Sequence, residues 1–583
     1  MNPSDAATVH DPATGRRLQA AATAMDRRAF MTWVSAGLGG TFLPGALGAQ
    51  EQEQITKEMI AQAERVAGLE FTDAEREEMV RGLNQNLSAY EQLREVQLPN
   101  AVPPAVQFDP VLPDMTLPSA RRPMRMSPPP QVNRPANLEE VAFWPVRHLG
   151  ELIRSRQVTS LELTRMYLDR LTRHGPTLEA VITLTEARAI ARAERADADL
   201  AAGHYRGPLH GIPWVAKDLL SVSGYPTTWG AKPYEQQVID LDAAVVERLD
   251  AAGAVLVAKV TLGALAQGDV WYGGRTRNPW NLEQGSSGSS AGSAATTVAG
   301  LTGFSIGTET LGSISSPSTR TGATGLRPTF GRVSRYGAMA LSWSMDKIGP
   351  ICRSVEDCAL VFAAIQGPDG RDPTIRDMPF NWDASVAPRD LRIGYLKSAF
   401  DRAESDNDRR RKAFDDASLE VLRGLGAELI PVELPTHLPL NALRSTILSV
   451  EAAAAFDELT RSGRDDLMED SSWPNSFRQA RLVPAVEYIQ ANRIRTLAMD
   501  ATHAALDGID VLVAPTGGSN QLLLTNLTGH PAVILPNGFT DEGTPVSITF
   551  IGKLYGEADA LAVAKAYQDA TDFHTRRPSS FLT

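Results

Sequence analysis

Cysteine is scarce in this sequence, and the common metal and cofactor motifs are missing from it. Two cysteines among 583 residues, Cys352 and Cys358, cannot build a disulfide framework or fill a zinc site by themselves. We interpret them as small core residues, with a bridge between them as the alternative. There is no His-Glu-x-x-His pair, no phosphate loop ending in Gly-Lys-Ser/Thr, and no Gly-x-Gly-x-x-Gly after a strand. We therefore expect a reaction that uses no metal and no cofactor.

Clusters of positive charge and long apolar runs are also lacking. The formal net charge is −12, and the sequence has no local cluster of Lys and Arg that could bind phosphate groups. We therefore expect no nucleic-acid partner. No stretch approaches the length of uninterrupted apolar residues that a spanning helix needs, so we expect no membrane span in the mature protein. The expected partner is a small-molecule substrate, bound by a monomer or a homodimer.

The N-terminal residues 1–49 have the pattern of an export signal. Arg27 and Arg28 precede the apolar, glycine-interrupted segment from Thr32 to Leu47, which ends in small residues before Gln50. Paired arginines at this place resemble a twin-arginine signal, which predicts export with the periplasm as the expected destination. The alternative is an N-terminal tail with a chance arginine pair.

Composition divides the rest of the chain into three parts. Residues 50–98 have helical periodicity, with a capping box predicted at Thr72 and Glu75. Residues 99–136 are rich in proline and predict an extended surface connector. From residue 137 to residue 583, helices alternate with short apolar strands.

The strand candidates of that third part are apolar without polar alternation, as expected of strands covered on both faces by helices. They are Ile212–Ala216, Val255–Val260, Arg392–Leu396, Val511–Ala514, Ala532–Leu535 and Ile548–Ile551. We predict one large α/β domain built on a central mixed, mostly parallel β-sheet with helices on both faces. A division into two lobes is the alternative.

Lys217 stands out because it ends an apolar strand candidate. A buried lysine needs a partner or a purpose, and burial lowers the pKa of an amine, which leaves a neutral base near physiological pH. The alternative is an ion pair with the adjacent Asp218, or an amine that reaches solvent.

Two Gly/Ser-rich blocks, Gly285–Ser293 and Gly307–Ser313, follow this lysine. Their glycines permit close approach and positive φ, and their backbone N–H groups can converge on an anion. A flexible linker is the alternative for such blocks. Two Gly-x-Ser-x-Gly windows, Gly288–Gly292 and Gly303–Gly307, also admit a serine hydrolase elbow that would need a downstream histidine.

Seven ordered segments together make this sequence resemble the amidase signature enzymes from about Leu138 to Thr575. They are Gly207–Pro213, Lys217-Asp218, Asn278–Asn281, the two serine blocks, Asp510–Pro515 and Asn526–Ala532. The resemblance implies a Ser–cis-Ser–Lys triad in which Lys217 is the base. Ser289, after a cis peptide bond, is then the bridging serine, and Ser313 is the nucleophile.

The resemblance also implies an oxyanion hole and supporting residues. Its backbone donors would be Thr310, Leu311, Gly312 and Ser313. Thr308 and Ser290 would be supporting partners of the triad. The chain departs from the common family pattern at Glu309, which replaces an aspartate, and at Leu311, which replaces a glycine beside the oxyanion hole.

These residues predict an exported amidase that hydrolyses a linear carboxylic amide or ester through a serine acyl-enzyme. One alternative is an A-type glutaminase subunit of an amidotransferase that acts on aminoacyl-tRNA. Another is a non-catalytic binding protein on the same fold.

Overall fold

The computed structural model describes residues 55–468, 471–517 and 519–582. The predicted signal at residues 1–49 lies outside the described residues. Contacts divide the chain into two compact units, with the boundary between Glu95 and Val96.

Within its described residues, from residue 55 onward, the first unit has two helices, α1 (Lys57–Ala67) and α2 (Asp73–Glu95). Thr72 and Glu75 form the predicted capping box: the Thr72 N–H donates to Glu75 at 2.6 Å, and the Glu75 N–H donates to the Thr72 hydroxyl at 3.3 Å. An ion pair of 2.6 Å between Arg76 and Glu64 joins the two helices.

The second unit begins with the connector. Residues 96–136, all of which the structure describes, contain no helix and no strand beyond an isolated bridge between Arg125 and Asp383. The connector is nevertheless fixed in place. The Arg122 N–H donates to Asn381 Oδ1 at 2.8 Å, and Asn381 Nδ2 donates to the Ala120 carbonyl at 2.9 Å.

The remaining elements alternate between helices and strands, as the sequence predicts. The helices are α3 (Val146–Arg154), α4 (Ser160–Leu178), α5 (Glu186–Ala201), α6 (Ala244–Ala251), α7 (Ala291–Val298), α8 (Ser315–Thr321), α9 (Val355–Ile365), α10 (Lys397–Phe400), α11 (Asp406–Gly424), α12 (Leu440–Ala455), α13 (Asp457–Arg461), α14 (Trp473–Ala480), α15 (Ala485–Ala505), α16 (Gln521–Thr528) and α17 (Glu557–Asp569). The strands are β1 (Val181–Leu184), β2 (Pro213–Lys217), β3 (Val255–Val260), β4 (Val270–Trp271), β5 (Gly274–Arg275), β6 (Arg277–Asn278), β7 (Asn281–Gly285), β8 (Phe304–Glu309), β9 (Thr324–Arg327), β10 (Lys347–Cys352), β11 (Ile393–Leu396), β12 (Leu429–Val432), β13 (Val511–Pro515), β14 (Ala532–Phe539) and β15 (Pro545–Gly552).

One mixed sheet forms the centre of this unit. Among the described residues it has eleven strands in the order β1-β3-β2-β8-β10-β9-β14-β15-β13-β11-β12. All six strand candidates of the sequence lie in this sheet. Every residue of β2, β3, β8 and β10 is buried, because helices such as α4, α7 and α9 pack on these strands.

The predicted mostly parallel arrangement is wrong. Parallel pairing is confined to two blocks, β3-β2-β8 and β13-β11-β12, and the strands between those blocks are antiparallel. Burial on both faces removes the polar alternation that usually marks an antiparallel strand, so the sequence pattern could not show the strand direction. Val96–Thr583 is also a single compact unit, not two lobes.

Both cysteines are buried free thiols, as the core interpretation expected. Cys358 lies in α9, where the Ser354 side chain caps the helix by accepting the Asp357 N–H at 3.1 Å. The alternative of a bridge between Cys352 and Cys358 is wrong in this structure.

Candidate active site

Lys217 is the last residue of β2, in the interior of the sheet. Its side chain is completely buried, and β2 pairs with β3 on one side and β8 on the other. Burial lowers the pKa of this amine from 10.5 to about 7, against the weaker opposing effect of the Asp346 and Glu309 carboxylates. A large fraction of the amine is therefore neutral at physiological pH.

Hydroxyl groups surround the Lys217 amine. Nζ lies 2.8 Å from Ser289 Oγ, 3.1 Å from Ser290 Oγ and 2.9 Å from Thr308 Oγ1, with the Thr308 carbonyl at 3.4 Å. The structure thus brings the predicted base into contact with the predicted bridging serine. Thr308 and Ser290, which were expected only to support the triad, form direct hydrogen bonds with the amine.

The ion pair considered for Lys217 is formed by a different lysine. Asp218 Oδ1 lies 2.7 Å from Lys259 Nζ, and both side chains are fully buried. Asp218 Oδ2 accepts hydrogen bonds from the Thr228 N–H at 2.8 Å and the Thr228 hydroxyl at 2.6 Å. Asp218 directly follows β2, and Lys259 and Thr228 hold its carboxylate.

Ser289 follows a cis peptide bond, Gly288–Ser289, in the segment between β7 and α7. Glycine is required before it, since a Cβ on Gly288 would lie 1.8 Å from the Gly268 carbonyl oxygen. Ser290 directly precedes α7, and its N–H donates to the Ser313 carbonyl at 3.0 Å. That hydrogen bond ties the two serine blocks together.

Ser313 lies in the tight turn between β8 and α8. Gly312 has a φ of +90°, a conformation that favours glycine. Among the residues that the structure describes, none shares a hydrogen bond with the Ser313 hydroxyl. Contact therefore extends from Lys217 to Ser289, and Ser313 is held beside them through its backbone.

The predicted oxyanion donors have no hydrogen-bond acceptor among the described residues. Within the described part of the chain, no group accepts a hydrogen bond from the backbone N–H of Thr310, Leu311, Gly312 or Ser313. Four consecutive N–H groups in one turn can stabilise a negatively charged oxygen.

Glu309, which stands out in the sequence only as a departure from the family pattern, holds this turn in place. Its Oε2 accepts the N–H groups of Ile314 at 2.9 Å and Ser315 at 2.8 Å, and its Oε1 accepts from Arg327 at 2.9 Å and Asn526 at 2.8 Å. Although burial opposes ionisation, the Arg327 guanidinium and these donors lower the pKa of Glu309 to about 2. Glu309 is therefore a buried anion that fixes both the turn and the start of α8.

Asp346 supports the other end of the same turn. It accepts a hydrogen bond from the Thr310 hydroxyl at 2.6 Å and from the backbone N–H groups of Leu341 at 2.8 Å and Ser342 at 2.9 Å. No local pattern marked Asp346 in the sequence, because its role arises from the pairing of β8 with β10.

The serine hydrolase elbow does not form at either window. Ser305 lies inside β8, where its hydroxyl donates to the Ser293 carbonyl at 2.9 Å. Ser290 contacts Lys217 instead of a histidine, and the downstream His530 bonds to Thr528. Among the described residues, no group of His, Cys, Asp and Glu side chains could hold a metal ion. No helix in the described ranges combines the length and apolar character needed to span a membrane.

Comparison with known proteins identifies the class. The Amidase family model matches residues 162–525, which is more than half of the chain, so this chain belongs to the amidase signature family. It is accordingly a hydrolase acting on amide C–N bonds.

Individual relatives are covered over nearly their whole length. The A subunit of glutamyl-tRNA(Gln) amidotransferase from Halorhodospira halophila is 36% identical over 484 residues, with 75% of this chain and 99% of that protein covered. The native peptide amidase from Stenotrophomonas maltophilia is 31% identical, with a TM-score of 0.68 and coverage of 76% of this chain and 100% of that one. An amidase family protein from Bacillus anthracis is 26% identical, with a TM-score of 0.67 and coverage of 76% and 93%.

Proposed function

We propose that this chain is an exported amidase that hydrolyses a linear carboxylic amide or ester through an acyl-enzyme on Ser313. The observation that carries the proposal is the buried Lys217 amine, 2.8 Å from the Ser289 hydroxyl. A neutral amine can accept a proton from that hydroxyl, and no histidine, metal or cofactor is needed.

The reaction begins with a proton relay. Ser289 transfers its proton to neutral Lys217 and takes the proton of Ser313, whose oxygen forms a bond to the substrate carbonyl carbon. The carbonyl π electrons move to oxygen, and the free N–H groups of the turn stabilise the resulting oxyanion. Each lost donor would cost about 10²–10³ in kcat.

Collapse of this intermediate breaks the C–N bond. The proton held on Lys217 returns through Ser289 to the departing nitrogen, so that a neutral amine leaves and Ser313 stays acylated. Water then attacks the ester while its proton follows the same relay, and protonation of the Ser313 oxygen releases the carboxylic acid.

A serine-directed fluorophosphonate tests the nucleophile. The unaltered chain should gain one phosphonyl group in its intact mass, and the Ser313→Ala variant should gain none. Ser316→Ala, which changes a serine on the first turn of α8, is the matched control and should label normally. Undiminished labelling of Ser313→Ala would overturn the assignment.

The amidotransferase alternative has its own support, since several relatives of this chain carry that name. Such a protein would act with partners on aminoacyl-tRNA, whereas the net charge of −12 disfavours nucleic acid. Hydrolysis of simple amides by the purified chain alone supports the amidase. Activity that appears only with co-purified partner chains and tRNA supports the alternative. A non-catalytic binding protein would not need the complete set of Lys217, Ser289 and Ser313.

The proposal that this protein is exported is based on the sequence of residues 1–49. Replacing Arg27 and Arg28 by lysine should leave the protein in the cytoplasmic fraction of a twin-arginine-competent host, while the unaltered chain reaches the periplasmic fraction. Equal distribution of the two proteins would refute the signal.

A further inference from the structure

A small cavity lies beside the lysine–serine relay. Its volume is about 90 Å³, and Thr308 and Thr310 form part of its lining. Thr308 is hydrogen-bonded to the Lys217 amine, and Thr310 begins the turn that carries the free N–H groups. The inner end of the cavity is therefore next to the position where a substrate carbonyl would be held.

Much of the wall of this cavity is apolar. Leu219, Met339, Trp343 and Ile348 all contribute to it. An engineered cavity of about 150 Å³ admits a benzene ring, and a water molecule occupies about 30 Å³ of liquid. A space of about 90 Å³ is therefore large enough for a short aliphatic group and smaller than the cavity that admits a benzene ring.

The connector forms part of the wall of the cavity. Asn100, Ala101 and Pro103 belong to the lining. The Asn100 side chain donates to the Ala340 carbonyl at 2.9 Å and the Ala455 carbonyl at 3.4 Å, and it accepts the Ala340 N–H at 2.7 Å. Three hydrogen bonds from one side chain thus anchor the connector over the cavity.

The next anchor along the connector is Phe108. Its ring lies 5.1 Å from that of Phe330, and the Arg495 guanidinium lies 3.5 Å from its centroid. Residues 101–106 between the two anchors are exposed. We call residues 100–108 the strap. The family model begins at residue 162, so the strap lies upstream of the matched region.

We propose that the strap is the outer wall of an acyl pocket and limits the substrate to amides with a short aliphatic acyl group. This inference rests on the proposed amidase function and adds the substrate class. The acyl chain enters the cavity past Thr310, and the strap blocks its extension beyond the length of a butyryl group.

A series of p-nitroanilides with acetyl, butyryl, hexanoyl and octanoyl groups tests this. The unaltered protein should give the highest kcat/KM for acetyl or butyryl. Asn100→Ala releases the strap and should raise the octanoyl-to-acetyl ratio of kcat/KM at least about tenfold. Ala101→Phe fills the pocket from the strap and should lower the butyryl-to-acetyl ratio by about tenfold.

Asn381→Ala is the matched control, because Asn381 anchors the connector at Ala120 and Arg122 and does not line the cavity. Its acyl-length profile should equal that of the unaltered protein. Unchanged acyl-length profiles in both Asn100→Ala and Ala101→Phe would refute the acyl pocket but would not affect the proposed amidase function. Should Asn100→Ala fail to fold, Ala101→Phe alone decides. If the unaltered protein hydrolyses none of these p-nitroanilides and Ser313 is not labelled by the fluorophosphonate, the proposed function itself is refuted.

Discussion

Two buried lysines on neighbouring strands of the sheet differ in the groups that surround them. Lys217 in β2 and Lys259 in β3 are both fully buried, and Lys259 pairs in register with Ala216. Lys259 has a carboxylate partner, Asp218 at 2.7 Å. Lys217 contacts three hydroxyls and one carbonyl, and among the described residues no carboxylate lies within ion-pair distance of it.

The difference shows that burial alone does not make a base. Burial lowers the pKa of both amines, but the adjacent Asp218 opposes that effect for Lys259 and favours its ammonium form. The carboxylates that act on Lys217, Asp346 and Glu309, oppose burial only from a distance, and its pKa falls to about 7. One lysine can then hold a structural charge while the other exchanges protons.

The largest expected effect comes from Lys217→Met, which keeps an unbranched apolar side chain and removes the base. We expect kcat/KM to fall by about 10⁴-fold or more. The fold should survive, because the Ser290 hydroxyl still bonds to the Thr308 carbonyl and N–H, each at 3.1 Å. Hydrolysis assays and thermal unfolding by circular dichroism measure the two effects. Activity within tenfold of the unaltered protein would show that Lys217 is no base.

Lys259→Met should lower the stability of the protein and leave its hydrolytic activity largely intact, the reverse of what we expect for Lys217→Met. Asp218 would remain buried without its cation, so we expect the free energy of unfolding to fall by about 3–5 kcal/mol. The kcat/KM of the folded protein should stay within about tenfold, since Lys259 does not touch the relay. Urea denaturation measures the loss of stability.

The double variant Lys259→Met, Asp218→Asn is the control for that loss. An asparagine carbonyl can still accept the Thr228 N–H, and no buried charge remains, so part of the stability should return. A single Lys259→Met variant as stable as the unaltered protein would contradict a structural role for the ion pair.

Much of this comparison could be predicted from the sequence. Lys217 at the end of an apolar run, the two glycine-rich serine blocks and their order along the chain were enough to select Lys217, Ser289 and Ser313. The partner of Asp218 could not be selected, because the choice between Lys217 and Lys259 depends on side-chain direction and on strand pairing. Local sequence gives neither.

Contacts between residues far apart in the sequence also explain why the strand directions and the roles of Glu309 and Asp346 could not be predicted. Strand directions were hidden because burial on both faces removes alternation. Glu309 was visible only as a substitution, and its role appears when Arg327 in β9 and Asn526 in α16 meet it. Asp346 reaches Thr310 because β10 pairs with β8. The strap over the cavity has no sequence signal beyond its prolines.

The smallest expected effect is a change in pH dependence. A base whose pKa is lowered to about 7 is protonated below that value, so kcat/KM should rise with pH, pass its midpoint near 7 and level off above it. Asp346→Asn removes a negative charge that favours the ammonium form, so the midpoint should move to lower pH, by about one pH unit or less. Asp401→Asn, which changes an exposed carboxylate paired with Lys397, is the control and should leave the midpoint in place.

The pH–rate profile separates the two lysines more directly than any loss of activity. Lys259→Met should keep the midpoint near 7, because Lys259 is not among the groups that shift the pKa of Lys217. A midpoint close to the ordinary lysine pKa of 10.5 would mean that Lys217 keeps its proton despite burial. The hydroxyl groups around Lys217 would then stabilise an ammonium, just as the Asp218 carboxylate stabilises the ammonium of Lys259. The relay through Ser289 would have no proton acceptor.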